Sequence, residues 1–359
     1  MFLLVGSAFV GFGARDGWFT RNPAGSSVAA SAGNSSSTNS NNTSTSNTDL
    51  GAVADRVDNA IVNITTQTPL GEAAGTGMLI SSKGLVLTNH HVISQALQIQ
   101  VEVGGNGKTY SAHVVGYSIA DDVAVVQIEG VSGLPTIDTD QNVMPNEQVL
   151  VMGNALGRGG APTVSAGRVV ALDQQITATD ETGANAETLK GMIQLAASVQ
   201  PGQSGGAVVD ADGQIVGMTT AASVSGGYRF GFQQGSNDAF AIPIGRAVAA
   251  AESIENGTSN SSIHVGARGI LGIEVAGNAG RSSDGVTVNG VTSGGPADKA
   301  GISAGSTIVA IGDTTVQSPT DITTAMNLYS PNDRIKVTWD DTSGSRHTAT
   351  VQLDKGPPA

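Results

Sequence analysis

The residues best suited to chemistry surround Ser204, in the segment PGQSGG (201–206). Pro followed by Gly favours a type II turn, in which the glycine has a positive φ. Glycines on both sides of a serine leave its hydroxyl open and let a substrate backbone approach closely. Such a turn can also point successive backbone N–H groups into one small volume, as an oxyanion hole requires. The segment suits a nucleophile for acyl transfer, although a plain Gly/Ser turn has the same composition.

A nucleophilic serine needs a base, and two of the five histidines, His90 and His91, stand side by side in TNHHV (88–92). Asp122 begins the apolar run VAVV, where a carboxylate could fix the tautomer of a histidine. Read alone, the histidines also fit a polar strand end, and Asp122 fits a strand-start or turn residue. The order His, Asp, Ser, each on a different loop, matches the chymotrypsin-type arrangement and differs from those of subtilisin and the α/β-hydrolases.

The elements that must position these residues are short strands. Turn signals such as SSKG, GGNG and DADG separate the β-rich runs between residues 60 and 249. Many short strands in about 200 residues predict a β-barrel or a pair of barrels. A helix is predicted over 245–254. The strands are predicted over 77–80, 85–89, 98–103, 122–128, 149–152, 163–172, 207–209 and 214–220.

A second unit follows the polar linker NGTSNSS (256–262). Its pattern mixes strands with two helices that have clear start signals, and about 90 residues suffice for an independent core. The sequence therefore predicts a small α+β domain from about 266 to 355. Its strands are predicted over 269–275, 285–291, 307–311, 334–340 and 348–353, and its helices over 296–300 and 318–328.

The N-terminal region differs in composition from both units. Residues 1–14 (MFLLVGSAFVGFGA) form an apolar run shorter than the roughly 20 residues of a spanning helix. We interpret it as a signal or membrane-anchor segment whose start is truncated, with a buried strand as the alternative. Residues 15–49 contain a Ser/Asn/Thr-rich stretch that cannot bury apolar surface, which predicts a flexible linker.

Charge and cysteine content exclude several classes of function. The net charge is −13 and the chain has no Lys/Arg cluster, which argues against nucleic-acid binding. The absence of cysteine excludes disulfides, thiolate catalysis and Cys-based zinc sites. GNALGRGG (153–160) superficially matches a phosphate loop but lacks the Lys-Ser/Thr ending and a following helix. No cofactor or metal is expected.

Several motifs in the right order resemble the HtrA family, trypsin-like serine proteases with C-terminal PDZ domains. The resemblance implies a mostly β fold with a chymotrypsin-like double β-barrel over 50–255, a linker over 256–265 and a PDZ domain over 266–356. The matching stretches are GTGMLISSKGLVLTNHHVI (75–93), DDVAVVQI (121–128), GNALGRGGAPTVSAGRVVAL (153–172), PGQSGGAVVDADGQIVGMTT (201–220), FAIPI (240–244), ARGILGIEV (267–275) and GGPADKAGISAGSTIVAIGD (294–313).

The resemblance assigns a role to each catalytic residue. His91, directly before the hydrophobic Val92, is the base, Asp122 orients it, and Ser204 is the nucleophile. The backbone N–H groups of Gly202 and Ser204 form the oxyanion hole. The chain departs from the usual family pattern at several positions. His90 and Gln203 stand where members commonly have Asn, Ala196 stands where many carry an acidic residue, and Ser306 stands where Asp is usual.

The resemblance also implies two binding sites. Ser198, six residues before the nucleophile, should lie at the base of the primary specificity pocket. Because it is neutral, cleavage is expected after small or medium apolar residues. The segment Arg268-Gly269-Ile270-Leu271-Gly272 should cradle the terminal carboxylate of a bound peptide.

The function expected from these features is a serine endopeptidase of the cell envelope that degrades unfolded proteins. The resemblance implies a homotrimer that is secreted or membrane-anchored. It also implies binding of C-terminal peptides and control by the segments 174–188 and 223–237, interpreted as long loops. The alternatives are a catalytically silent PDZ adaptor or chaperone and a different acyl hydrolase. The complete His91, Asp122 and Ser204 set argues against the first, and the chain order argues against the second.

Overall fold

A computed structural model describes residues 50–69, 71–105, 107–179, 186–224, 227–229, 238–260, 262–275 and 284–356. These residues all belong to the unit Thr48–Ala359. The predicted anchor segment 1–14 and linker 15–49 lie outside the described residues. Within the described ranges, no helix has both the length and the hydropathy needed to cross a bilayer.

The first barrel follows helix α1 (Leu50–Val57) and a 3-10 turn (Asp58–Ala60). Its six strands are joined in the order β5-β4-β1-β2-β3-β6, and pairing of β5 with β6 closes the barrel. A one-turn helix, α2 (His90–Ile93), follows β3. The strands are β1 (Ile61–Thr68), β2 (Gly71–Leu79), β3 (Leu85–Thr88), β4 (Gln98–Val103), β5 (Thr109–Ser118) and β6 (Val123–Ile128).

Strand β6 illustrates why an uninterrupted apolar run is needed in this barrel. Side chains alternate across a strand. Ala124 and Val126 accordingly point into the first barrel, while Val123 and Val125 pack into the core that the two barrels share. All four are buried. Both faces of β6 are therefore covered, which places the preceding Asp122 at the boundary between the barrels.

The second barrel closes six strands in the cyclic order β7-β8-β9-β13-β11-β10. A short strand, β12, pairs with β8 and β11. Together the two barrels confirm the predicted chymotrypsin-like double barrel. The strands are β7 (Gln148–Gly153), β8 (Thr163–Thr179), β9 (Ala186–Ala196), β10 (Ala207–Val209), β11 (Ile215–Val224), β12 (Gly227–Arg229) and β13 (Asp238–Pro243), and a 3-10 turn (Ala155–Gly157) follows β7.

The prediction that 174–188 is a long loop is wrong for most of its length. β8 continues to Thr179 and β9 begins at Ala186, so the segment belongs to a long hairpin. Its alternating Thr residues have high β-propensity, which favours the ladder despite the polar composition. Of the segment 223–237, residues 223–224 end β11 and 227–229 form β12, and the remainder lies outside the described residues.

Helix α3 (Ile244–Glu255) follows β13 and packs against the shared core with Ile244, Ala247 and Ile254. The predicted linker 256–265 needs correction at its end. Ile263–Val265 forms β14, which pairs with β5 of the first barrel, and Ile263 is buried. The polar residues that precede it suggested a linker, but the apolar Ile and Val have barrel surface to cover.

The C-terminal domain has its own core of aliphatic residues and Trp339. A main sheet in the order β16-β17-β18-β20-β21 is joined by β19, which pairs with β18, and β15 pairs with β22. The strands are β15 (Gly269–Ile270), β16 (Ile273–Val275), β17 (Val286–Val291), β18 (Thr307–Ile311), β19 (Thr314–Thr315), β20 (Arg334–Asp340), β21 (Arg346–Gln352) and β22 (Asp354–Lys355), with helices α4 (Pro296–Lys299) and α5 (Pro319–Met326). This is the predicted α+β PDZ architecture.

Candidate active site

The structure distinguishes the two neighbouring histidines. His91 Nδ1 lies 2.9 Å from Asp122 Oδ2 and 3.0 Å from Oδ1, and the His91 backbone N–H donates to Oδ1 at 3.0 Å. The His90 ring instead lies 5.0 Å from the ring of Tyr117 and is buried. The side chain of His91 remains 22% exposed, whereas that of Asp122 is 1% exposed. This geometry suits a base whose Nδ1 is fixed by the carboxylate and whose ring is still accessible to substrate.

Asp122 is held in an unusual backbone conformation. Its φ is +51°, in the left-handed region that non-glycine residues seldom occupy. The amide of Asn89 donates to the Asp122 carbonyl at 2.9 Å, and this contact anchors the turn. Positive φ at a buried ionisable residue is the kind of strain that clusters at functional sites.

Thr220 on β11 donates its hydroxyl to Asp122 Oδ2. Burial raises the pKa of Asp122, but the charge of His91 and the hydrogen bonds from His91 and Thr220 outweigh it, so that the pKa is lower than usual. The Thr220 backbone carbonyl lies 3.4 Å from Ser204 Oγ, which donates to it. Thr220 therefore connects the carboxylate from the first barrel to the serine from the second.

The loop that carries Ser204 is tied to strands of both barrels. The backbone N–H of Thr76 on β2 donates to the Ser204 carbonyl at 2.8 Å, and Gly205 donates to the Thr219 carbonyl at 2.8 Å. Thr88, three residues before His91, donates its hydroxyl to the Thr76 carbonyl at 2.7 Å. These bonds place the serine loop directly against the strand ends that lead to His91.

The backbone N–H groups of Gly202 and Ser204 donate to no acceptor among the described residues. The Pro201 carbonyl accepts from the Leu156 N–H, and the Gly202 carbonyl accepts from Thr76 Oγ1 at 2.6 Å. Gly202 has φ +86°, and a Cβ there would lie 2.2 Å from the Asn154 carbonyl oxygen. The carbonyls on this loop are thus engaged elsewhere, and two N–H groups remain available for a developing oxyanion.

Ser198 has an exposed side chain, whereas the neighbouring Ala197 is buried. The segment Ala197-Ser198-Val199 follows β9 and carries no charged side chain. The assignment of Ser198 to the primary specificity pocket stays a prediction.

The predicted carboxylate-binding segment divides into two parts. Gly269 donates its N–H to the Tyr329 carbonyl at 3.2 Å, and it pairs with Lys355 in the β15–β22 ladder. Ile270 pairs with Asp354 in the same ladder, and the Nε of Arg268 is buried. The N–H groups of Leu271 and Gly272 make no hydrogen bond with any described residue. The second part therefore offers two backbone donors to a ligand.

Sequence reasoning missed Thr220 and Thr76. Thr220 follows the serine by sixteen residues at a buried position of an ordinary-looking strand. Thr76 stands between two glycines in GTG, where nothing in the local sequence marks its hydroxyl as functional. A fully buried threonine hydroxyl needs a partner, which is a signal that burial reveals and spacing does not.

The described residues contain no group of three or more His, Asp or Glu side chains arranged to hold a metal ion. Comparison with known proteins identifies the two domains of the chain. A family model described as a trypsin-like peptidase domain matches residues 75–218, and a PDZ domain model matches residues 269–352.

Similar proteins occur in several bacteria. Serine protease PepD of Mycobacterium tuberculosis is 31% identical over 351 residues, which cover 94% of this chain and 72% of PepD. The serine protease Do-like HtrA of Lactococcus lactis is 32% identical, with 78% and 70% covered. The periplasmic pH-dependent serine endoprotease DegQ of Escherichia coli is 30% identical, with 74% and 56% covered. The solved HtrA-type protease AlgW with a tripeptide matches with a TM-score of 0.50 and 28% identity, covering 86% of this chain and 98% of AlgW.

Proposed function

Since the chain belongs to the HtrA family and is a serine endopeptidase with a PDZ domain, we propose that His91, Asp122 and Ser204 form its catalytic triad. The observation that carries this proposal is the connected set of contacts from His91 through Asp122 and Thr220 to Ser204. The backbone N–H groups of Gly202 and Ser204, which donate to no described residue, support the proposal further.

The geometry supports acyl-enzyme chemistry in two stages. Ser204 Oγ attacks the scissile carbonyl while His91 Nε2 takes its proton, and the N–H groups of Gly202 and Ser204 stabilise the oxyanion. His91 then gives the proton to the leaving amine. Water, activated by His91, hydrolyses the acyl-enzyme. Throughout, Asp122 keeps the proton on Nδ1 and stabilises the imidazolium.

Labelling with a fluorophosphonate probe tests the triad. The wild type should be labelled, while Ser204→Ala and His91→Ala should lose labelling and peptide hydrolysis. His90→Ala is the matched control, because its ring faces Tyr117 rather than Asp122. Loss of labelling in His90→Ala together with retention in His91→Ala would reverse the assignment of the base.

The substrate proposal is cleavage after small or medium apolar residues. The segment before the nucleophile, Ala197-Ser198-Val199, has no charged side chain, and Val199 packs against the core of the second barrel. A pocket wall without a carboxylate gives no partner to Lys or Arg. Digestion of a peptide library should therefore produce cleavage chiefly after residues such as Ala and Val. Cleavage chiefly after Arg would contradict this specificity.

The PDZ domain is proposed to bind C-terminal peptides through the N–H groups of Leu271 and Gly272. A terminal carboxylate at these donors would leave the peptide beside β16, where it can add a strand to the sheet. Fluorescence titration with a peptide ending in a free carboxylate should give binding that the amidated peptide lacks. Equal affinity for both peptides would exclude carboxylate capture.

Family membership supports the remaining parts of the proposal. These are degradation of unfolded proteins in the cell envelope, assembly as a homotrimer, and secretion or membrane anchorage. The periplasmic location in the name of DegQ supports the compartment.

Sedimentation of the Ser204→Ala protein should give the mass of three chains, and fractionation of cells should recover the protein outside the cytoplasm. A monomeric mass or a cytoplasmic location would contradict the respective part.

A further inference from the structure

Glu102 on β4 is one of three buried carboxylates among the described residues, with Asp122 and Asp210. No Lys, Arg or His of the described chain lies within ion-pairing distance of it. Burial raises its pKa, but hydrogen bonds from Asn63, Gly160 and Gly107 outweigh this, so the pKa is lower than usual. A buried charge without a cation is costly unless polar donors converge on it. Three polar donors therefore hold this carboxylate in its ionised form, and the proposed mechanism does not use it.

Both oxygens of Glu102 are occupied. Oε2 accepts from Asn63 Nδ2 at 3.0 Å and from the Gly160 N–H at 3.1 Å, and Oε1 accepts from the Gly107 N–H at 2.6 Å. Asn63 also donates to the Gly160 carbonyl at 2.8 Å. The carboxylate and its asparagine thus hold Gly160 by both of its backbone polar groups.

Gly160 belongs to the segment 154–160 that follows β7, and this segment folds back on itself. The side-chain oxygen of Asn154 accepts from the Gly159 N–H at 2.9 Å. The backbone carbonyl of Asn154 accepts from the Gly157 N–H at 3.0 Å. The Asn154 N–H donates to Thr76 Oγ1 at 2.8 Å. A displacement of Gly160 would consequently be transmitted to Asn154.

The same segment is connected to the serine loop by one direct hydrogen bond and by a second path through Thr76. The Leu156 N–H holds the Pro201 carbonyl, and Thr76 Oγ1, which accepts from Asn154, donates to the Gly202 carbonyl. These bonds orient the peptide groups on either side of Gly202. If the segment moved, the Pro201 carbonyl would lose its donor, and the Gly202 N–H would no longer be fixed toward the substrate.

We propose that Glu102 is a positioning residue for the oxyanion hole, acting through residues 154–160. This inference rests on the proposed triad and extends it. Glu102 does not touch substrate. It fixes the segment whose Leu156 N–H holds the Pro201 carbonyl and whose Asn154 N–H holds Thr76, the donor to the Gly202 carbonyl.

The main test compares Glu102→Gln with Asp210→Asn. Glutamine keeps the shape of the side chain, but its NH2 group must face either the Gly107 donor or the Asn63 and Gly160 donors. Asp210 is an equally buried carboxylate that accepts two backbone N–H bonds, in the turn between β10 and β11, which makes it the matched control. We expect Glu102→Gln to lower kcat by about 10- to 100-fold with KM within about twofold, as for loss of a transition-state donor.

Affinity for a peptide boronate, which forms a tetrahedral adduct with the serine, should fall in parallel with kcat. Asp210→Asn should retain both properties even where its melting temperature falls as much. If the two variants lose kcat equally at equal loss of stability, Glu102 has only a structural role and the inference is wrong. An equal rise in KM would also overturn it.

A crystal structure of Glu102→Gln provides a readout that does not need activity. We expect the Pro201 carbonyl to leave the Leu156 N–H; an unchanged bond would refute the inference. Failure of the proposed triad is distinguishable, because it would appear as a wild type that the fluorophosphonate does not label, whatever the position of the Pro201 carbonyl.

Discussion

Two loops of this chain present backbone N–H groups that no described residue engages. One is the Gly202–Ser204 loop of the protease domain, and the other is Leu271–Gly272 of the PDZ domain. Each contains a glycine in the left-handed region, with φ +86° at Gly202 and +76° at Gly272. Their surroundings differ. A Cβ on Gly202 would lie 2.2 Å from the Asn154 carbonyl oxygen, whereas a Cβ on Gly272 would meet its nearest atom, Thr292 Cβ, at 3.4 Å.

This difference follows from what each loop is proposed to bind. An oxyanion exists only in the transition state and the tetrahedral intermediate, so its donors must be fixed before the charge appears. A terminal carboxylate is already charged when it arrives, so its donors can adjust on binding. The tightly packed loop therefore suits catalysis, and the roomier loop suits ground-state recognition.

The largest effect is expected from Gly202→Ala. The methyl group cannot fit beside Asn154, and φ +86° is unfavourable for alanine, so the N–H groups of the oxyanion hole must shift. Removing one such donor costs about 10²- to 10³-fold in kcat. Steady-state hydrolysis of a peptide substrate measures this loss, with KM expected to change little. A variant that keeps wild-type kcat would show that the tight packing is incidental.

Thr220→Val should have the next largest effect. It removes the hydroxyl that donates to Asp122 and keeps the size and β-branching of the side chain. We expect kcat to fall about tenfold, which corresponds to about 1.4 kcal/mol. Thr219→Val is the control, because the buried Thr219 hydroxyl has no partner among the described residues. Equal rates in the two variants would remove Thr220 from the catalytic framework.

Gly272→Ala should act more weakly and on binding alone. The backbone strain of an alanine at positive φ is about 1–2 kcal/mol, and there is room for the methyl group. We expect the Kd for a C-terminal peptide to rise about 5- to 30-fold, measured by fluorescence anisotropy. Hydrolysis in the absence of that peptide should be unchanged. A loss as large as that of Gly202→Ala would contradict the contrast between the two loops.

Most of the framework could be predicted from the sequence. The uninterrupted apolar run of β6 and the turn signals between strands can be recognised in the local sequence, and the order of His91, Asp122 and Ser204 limits the possible types of catalysis. What failed depended on distant contacts. Residues 174–179 and 186–188 are largely polar but lie in the antiparallel ladder of β8 and β9. Ile263–Val265 follows a polar linker but joins a barrel edge more than 140 residues earlier in the chain.

The same distinction applies within the site. The exposure of Ser198 depends on how the chain between it and the nucleophile folds, which a residue count does not show. Thr76 and Thr220 carry no signal in their local sequence, since their hydroxyls acquire partners only when the two barrels meet. Glu102 likewise occupies a polar position in the alternating pattern of β4. Only the folded structure brings the Gly160 N–H to its carboxylate.

The smallest effect is expected in the pH dependence of stability. It bears on the comparison because the buried carboxylates among the described residues all lie in the protease domain. The pKa of Asp122 is lower in the folded protein than its ordinary value of 3.8. Its ionised form therefore stabilises the fold fully above that ordinary value, and the contribution is lost as the pH falls through the lowered pKa. Because burial opposes the favourable partners, the net contribution is smaller than those partners alone would give. Urea unfolding of Ser204→Ala with and without Asp122→Asn, between pH 3 and pH 7, should give a stability difference that shrinks toward low pH. A difference that grows toward low pH would mean that the carboxyl is stabilised in its neutral form, and that Asp122 does not hold His91 through its charge.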